Sequence, residues 1–254
     1  MNQFSEHGVR AGHLPAEKWR IGCSGFYNYH WKGIFYPEQL KPKEWFSYYT
    51  DYFNTIELNT TFYKFPTVNS LGKWFADSPE GFLFSVKAPR LITHYKKLND
   101  CASLVTDFYS ACSLGLRDKL GCLLFQFPPS FDFTPERLQL ITSLLNPDFK
   151  NVVEFRHISW WNPEVTETLN EHRTIMCYPD QPKLIVPFLV TTGTAYIRLH
   201  GNPILFYSPY GDAFINELVN KINRSHEIEE VYVYFNNTAG TAGILNALEL
   251  QSII

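Results

Sequence analysis

Val152-Val153-Glu154-Phe155-Arg156-His157 decides how this chain is read. Two β-branched residues and a Phe alternate with a carboxylate and run straight into a guanidinium and an imidazole. Such residues favour strands, and Asn162-Pro163 just beyond supplies the N-cap and first turn of a helix. The pattern predicts a buried parallel strand whose C-terminal end carries three ionisable groups. Glu, Arg and His are seldom fully buried without a partner, so the cluster is either a structural ion pair or a site.

The same pattern recurs outward from there. Strands are predicted over residues 19–24, 55–58, 81–87, 121–127, 152–157, 174–177, 194–198 and 230–235. Helices are predicted over 42–54, 68–76, 98–116, 134–145, 163–172, 214–222 and 240–250. In the first of these helices Trp45, Phe46, Tyr49 and Phe53 recur at three- and four-residue steps. Residues 179–193 are punctuated by Pro and read as irregular. Strands alternating with helices imply a parallel sheet, and near-continuous apolar strands imply burial on both faces. About eight such units in 254 residues predict an α/β fold, a single-domain TIM-type (β/α)8 barrel over 19–254, preceded by a flexible lead-in over 1–18. An open doubly wound sheet is the competing arrangement. Gly22-Cys23-Ser24-Gly25 lacks the third glycine of a dinucleotide fingerprint, which disfavours it.

Bulk composition narrows the function classes. A net charge of −3 argues against a generally basic nucleic-acid binder. It leaves room for a local basic pocket, because steering follows charge distribution as well as sum. Cys23, Cys101, Cys112, Cys122 and Cys177 show no metal-finger or C-x-x-C spacing and read as reduced thiols of a cytoplasmic protein. Residues 1–18 lack a secretory apolar core, and no apolar run approaches the ~20 residues of a membrane span. No membrane partner is expected, and the pattern specifies no oligomeric state.

In a barrel the functional groups sit at the C-terminal strand ends. Those positions hold Ser24, then Glu57 and Asn59 with Tyr63 beyond, then Lys87 with Arg90 and His94. Gln126 follows, then Glu154, Arg156 and His157, then Arg198 and His200, and finally Asn236 and Asn237. Two readings compete at each place. Glu57 and Glu154 serve proton transfer, or they are neutralised by Arg198 and Arg156. His157 and His200 are acid–base groups, since imidazole titrates near neutrality, or satisfied core residues. Lys87, Arg90 and His94 hold an anion, or form a solvated loop. Gln126, Asn236 and Asn237 suit orientation of a polar ligand. Tyr27, Tyr29, Trp31, Tyr63, Trp160 and Trp161 line the mouth, or pack helices onto strands. A divalent metal on Glu57, Glu154, His157 and His200 is sterically open on such a rim, yet no ligand spacing calls for one. There is no Gly-x-Ser-x-Gly elbow and no Walker A loop.

Several ordered motifs together resemble one family. They are Gly22-Cys23-Ser24-Gly25-Phe26, Glu57-Leu58-Asn59-Thr60-Thr61-Phe62-Tyr63, Lys87-Ala88-Pro89-Arg90 with Thr93-His94, and Gln126-Phe127-Pro128-Pro129. Val153-Glu154-Phe155-Arg156-His157, Arg198-Leu199-His200-Gly201 and Tyr234-Phe235-Asn236-Asn237 complete the set. The chain from about residue 19 onward thus resembles the YecE-like family, domain of unknown function 72. That resemblance implies a TIM-type barrel and carries no settled activity. The segment after Gly201 departs from the pattern: Ser208-Pro209-Tyr210-Gly211 has less aromatic and acidic character.

Two functions are carried forward. The first is an enzyme that binds an anionic, phosphate-bearing substrate, either a small molecule or a nucleic-acid phosphate, and acts as a phosphoesterase or nuclease. Lys87, Arg90, Arg156 and Arg198 would hold the anion, and Glu154 or His200 would move the proton. The second is a non-catalytic barrel that binds an anionic metabolite or serves regulation. A carboxylate-pair glycoside hydrolase on Glu57 and Glu154 is a third and weaker option.

Overall fold

A computed structural model describes residues 14–254. The expected lead-in over 1–18 lies mostly outside the described residues. Its described end forms a short 3-10 turn, Ala16–Lys18, and the Leu14 N–H donates to Asn223 Oδ1 at 3.1 Å.

Nine strands follow: β1 (Trp19–Cys23), β2 (Thr55–Leu58), β3 (Leu83–Lys87), β4 (Leu120–Gln126), β5 (Lys150–Glu154), β6 (Ile175–Met176), β7 (Tyr178–Asp180), β8 (Thr194–Leu199) and β9 (Glu230–Phe235). The helices are α1 (Trp45–Thr50), α2 (Thr60–Tyr63), α3 (Val68–Asp77), α4 (Ala102–Leu116), α5 (Pro135–Leu144), α6 (Pro163–Glu171), α7 (Asp212–Arg224) and α8 (Ala242–Ile253). Caps start several of them where the sequence placed them. Thr134 Oγ1 accepts from Arg137 N at 3.3 Å and Asn162 Oδ1 from Val165 N at 3.1 Å, each followed by a proline at the first helical position.

Two expectations need correcting. The helix over 98–116 begins only at Ala102, because Lys97, Leu98 and Asp100 take positive φ and break the turn that would precede it. A π-helical turn, Leu91–Tyr95, occupies the loop after β3. The stretch read as irregular over 179–193 opens inside a strand, β7 (Tyr178–Asp180), paired with β8.

All strand pairs are parallel, in two sheets: β2-β3-β4-β5-β6 and β1-β9-β8-β7. The fold is therefore α/β with parallel sheets, as expected, but the hydrogen-bonded ladder does not run unbroken around eight strands. Alternation along the strands separates two buried sets. Ile56, Phe84, Phe125, Val153, Ile197 and Val233 pack with helix residues such as Phe108, Val165 and Ile244. The alternate positions, Cys122, Leu124, Val152, Cys177, Tyr196, Tyr232 and Tyr234, form a smaller cluster between the sheets.

The two breaks in the ladder are bridged by side chains. At one, the chain passes from β6 to β7 through Cys177, so one short segment edges both sheets. Thr191 Oγ1 supports it, accepting from Met176 N at 2.9 Å and donating to Thr174 O at 2.7 Å. At the other, β1 and β2 share no ladder among the described residues. Tyr49 reaches in from α1: its hydroxyl accepts from Cys23 N at 2.8 Å and donates to Thr55 O at 3.1 Å. Asn54 Nδ2 donates to Trp19 O at 3.0 Å. The inserted hydroxyl explains Gly22, where a Cβ would sit 2.3 Å from Thr55 O and 2.8 Å from the Tyr49 hydroxyl. Among the described residues no helix is long and apolar enough to cross a membrane.

The Tyr49 bridge predicts the first measurable effect. Tyr49→Phe leaves a buried N–H and a buried carbonyl unpaired, which costs about 2–4 kcal/mol. Urea unfolding should show that loss with native secondary structure retained. An unchanged midpoint would mean that the β1–β2 seam is held by something else.

Candidate functional site

The aromatic stack behind β5 fixes where its end points. Phe155 and Trp160 lie parallel with ring centroids 3.9 Å apart, and Phe131 stacks on Trp160 at 5.5 Å. With Phe155 held outward, Glu154 and Arg156 on either side of it turn toward the opposite sheet. Glu57 on β2 and Arg198 on β8 reach the same space.

Arg198 is the hub. Its Nε donates to Glu57 Oε1 at 2.8 Å and its Nη2 to Glu57 Oε2 at 2.6 Å, a two-pronged pair. Its Nη1 donates to Glu154 Oε2 at 2.5 Å. Glu57 also accepts from Tyr196 Oη at 2.9 Å and Ser24 Oγ at 2.7 Å. Glu154 Oε1 contacts Arg156 Nη2 and lies 3.3 Å from His200 Nε2, with hydrogen-bond geometry to neither. Burial alone would raise both carboxyls. The Arg198 charge at Glu57, and the Arg156 and Arg198 charges at Glu154, outweigh that and hold both below the usual carboxylate range. Both carboxylates are thus ionised and occupied, the ion-pair alternative weighed from the sequence.

His200 is fully buried. Burial and the Arg156 charge lower its pKa to about 3, so the ring is neutral. Arg156 Nη2 approaches Nε2 at 3.0 Å, and the Asn236 amide approaches Nδ1 at 2.7 Å. Arginine has no acceptor, so Nε2 must accept there and Nδ1 must carry the proton. The Asn236 amide then presents its oxygen to that proton.

Lys87 differs from its neighbours. It ends β3, its ammonium lies 4.2 Å from the Phe62 ring centroid, and no carboxylate oxygen lies within 4.0 Å of it among the described residues. Burial, reinforced by the Arg198 charge, lowers its pKa to about 8. His94 packs edge-on to the same Phe62 at 4.9 Å. Burial and the Lys87 charge lower its pKa to about 4. Arg90 stands at the exposed rim between the rings of Tyr63 and Tyr95, at 5.5 and 5.3 Å.

The structure therefore joins Glu57, Glu154, Arg156, Arg198, His200 and Asn236 in one contact network, with Ser24 attached. Lys87 and His94 share Phe62 beside it. Other expected groups are used elsewhere. His157 Nδ1 lies 2.7 Å from Ser159 Oγ and accepts from Ser159 N as the cap of a 3-10 turn. Asn237 Nδ2 donates to Ser208 O at 3.0 Å, tying β9 to the loop after β8. Gln126 Nε2 donates to the Phe127 carbonyl at 2.6 Å. Trp31 and Trp160 are core residues; Tyr27, Tyr29 and Tyr63 are exposed. Tyr196 was missed, although it stands two residues before Arg198 on one strand and so on the same face. Among the described residues no set of three His, Cys, Asp or Glu side chains is placed to hold a metal ion, since guanidinium groups occupy the carboxylates.

A cavity of about 400 Å³ opens beside the network, at the ends of β1 and β2. Glu57, Ser24 and Asn59 line it together with Phe26, Tyr27 and Trp74. Asn59 precedes α2, yet its side chain makes no capping bond, and its Oδ1 is buried without a partner.

Burying His200 neutral sets a pH dependence. The unfolded chain takes up a proton near pH 6.5, the folded ring only near 3, so stability falls as pH drops through that window. Between pH 7 and 5 this one group costs about 2 kcal/mol, while Glu57 and Glu154 stay ionised. Denaturant titrations at both pH values should show His200→Gln losing about that much less than wild type. Equal losses would mean that His200 is charged in the fold.

The comparisons agree with this architecture. The family model described as "Protein of unknown function DUF72" matches residues 20–254. The UPF0759 protein YunF of Bacillus subtilis is 22% identical over 252 residues, covering 86% of this chain and 89% of its own. The UPF0759 protein YecE of Escherichia coli K12 is 32% identical over 126 residues, 48% of this chain and 45% of its own. A crystal structure of a DUF72 family protein from Thermotoga maritima superposes with a TM-score of 0.82 at 30% identity, covering 92% of this chain and 98% of its own. With a family model spanning nearly the whole described chain, this protein belongs to the YecE-like DUF72 family.

Proposed function

We propose that the C-terminal strand ends bind a small anionic molecule, a phosphate-bearing one above all, with Lys87 as its principal contact. One observation carries this reading: Lys87 is a half-buried ammonium with no carboxylate within 4.0 Å among the described residues, beside two carboxylates already neutralised by arginine. Buried charges are normally paired. An anion from solution supplies the missing partner, and Arg156 Nε, buried without an acceptor, adds an N–H. In this reading the two sheets work as one barrel-like cylinder whose mouth is the site, and the five buried thiols suit the reducing cytoplasm.

Turnover is the further reading, and the Lys87 pKa of about 8 favours it. A group that titrates there exchanges a proton near neutrality. Glu57 and Glu154 are held ionised, and His200 has both nitrogens engaged, so Lys87 replaces Glu154 and His200 as the proton-transfer group for phosphoester hydrolysis. A carboxylate-pair glycosidase needs one carboxyl to keep its proton, and the guanidinium contacts of both disfavour that. A nucleic-acid phosphate is the wider form of the same reading, weakened by the net charge of −3.

Calorimetry with inorganic phosphate and a phosphoester panel tests this. Lys87→Met should weaken phosphate binding about tenfold or more and abolish any turnover, while the melting temperature stays level or rises because a costly buried charge is gone. Wild-type affinity should decline as pH rises through about 8, where the ammonium loses its charge. Equal phosphate affinity in wild type and Lys87→Met would overturn the reading. So would a large loss of stability without loss of binding, which marks a structural lysine.

A further inference from the structure

The cavity beside the charged network is a different kind of surface from the network itself. Its volume of about 400 Å³ falls in the range of ~300–1,000 Å³ typical of small-molecule sites. Phe26, Tyr27 and Trp74 give it flat, polarisable walls, with Ile56 and Leu58 behind. Most of its polar lining is already committed. Ser24 donates to Glu57, Glu57 accepts four hydrogen bonds, and the Asn28 amide is tied to the Gly240 carbonyl and its own turn. A ligand with hydroxyls on every side would leave most of them without a partner against these walls.

Beside the hydroxyls of Thr60 and Thr238, Asn59 offers the one uncommitted amide among the lining residues. Its Oδ1 is buried without a partner, and its Nδ2 makes no hydrogen bond to protein among the described residues. A primary amide with both ends unspent, facing an apolar cavity, matches an N–H beside a C=O on a flat ring. The same short segment leads to the ammonium. Asn59 and Thr60 line the cavity, Thr61 Oγ1 donates to the Lys87 carbonyl at 2.6 Å, and Phe62 lies under Lys87 Nζ.

We infer that the ligand is a planar ring compound bearing a lactam-type edge and an anionic group: the ring occupies the aromatic cavity, Asn59 reads the edge, and the anion meets Lys87. This rests on the anion site proposed above and adds the class of molecule that fills it.

Calorimetry with four probes separates the two claims: inorganic phosphate, cyclohexyl phosphate, phenyl phosphate and uridine 5′-monophosphate, whose uracil carries the N–H and C=O edge. Phenyl phosphate should bind about three- to tenfold tighter than cyclohexyl phosphate, the gain an aromatic contact gives a flat ring. Uridine monophosphate should bind tighter again. Asn59→Leu should remove that last gain while leaving phenyl phosphate unchanged, and Tyr27→Leu, at an exposed wall, should narrow the phenyl-over-cyclohexyl preference. Equal affinities for the two ring phosphates, with Lys87→Met still weakening both, would overturn the ring inference and leave the anion site standing. Uridine monophosphate bound equally by wild type and Asn59→Leu would overturn the role of Asn59. Binding of none of the four in a Lys87-dependent manner would remove both claims together.

Discussion

One guanidinium holds the two sheets together at the C-terminal ends of their strands. Glu57 and Glu154 belong to the five-stranded sheet and Arg198 to the four-stranded one, so each Arg198 contact crosses between sheets. Two tyrosines repeat the crossing below it: Tyr196 to Glu57, and Tyr234 to Thr55 and Ser85. A barrel interior is usually filled by layers of Val, Ile and Leu. Between these two sheets the layers near the strand ends are polar and joined largely by directed bonds. Such a network specifies one arrangement more sharply than apolar packing, because displacing one member strands a buried charge at a cost of about 3–5 kcal/mol.

This arrangement changes what the carboxylates are for. A glutamate that accepts two donors from one arginine, a tyrosine and a serine is fixed in position and poorly disposed to take a proton. Its effect on a ligand is indirect: it keeps Arg198 in place and cancels its charge. The network then offers less net attraction to an anion than a count of its arginines suggests. The unmatched positive charge is on Lys87, which stands outside the Arg198 hub, over an aromatic ring. Location of charge, more than its amount, decides where such a network would attract an anion.

Much of this was legible in the sequence, for a definite reason. Polar residues at the ends of apolar strands have few places to go, so Glu57, Lys87, Glu154, Arg198 and His200 were found by pattern alone. Pairing was less accessible. Arg198 lies 141 positions from Glu57 and 44 from Glu154, and spacing cannot say that one arginine takes both. His157 and Asn237 carry the same local signature as the residues that join the Arg198 network, yet they serve as a cap and a loop tie. Short elements were also missed: β7 has three residues, and Pro179 inside it reads as a breaker. The proline sits in a strand that pairs on only one side, where a missing N–H is tolerated.

The Tyr49 bridge between β1 and β2 was illegible for a further reason, and it bears on the cavity. A helical heptad pattern marks Tyr49 as an apolar core residue, which it is; only its hydroxyl does something a pattern cannot register. Because that hydroxyl occupies the gap where a ladder would run, β1 and β2 are not drawn into direct pairing. Beyond the bridge, toward their C-terminal ends, the two strands open into the cavity lined by Ser24 and Gly25 from one side and Ile56 to Thr60 from the other. The split ladder and the ligand-sized space are then two consequences of one inserted side chain. Gly22 is where the sequence records it, since no larger residue fits beside that hydroxyl.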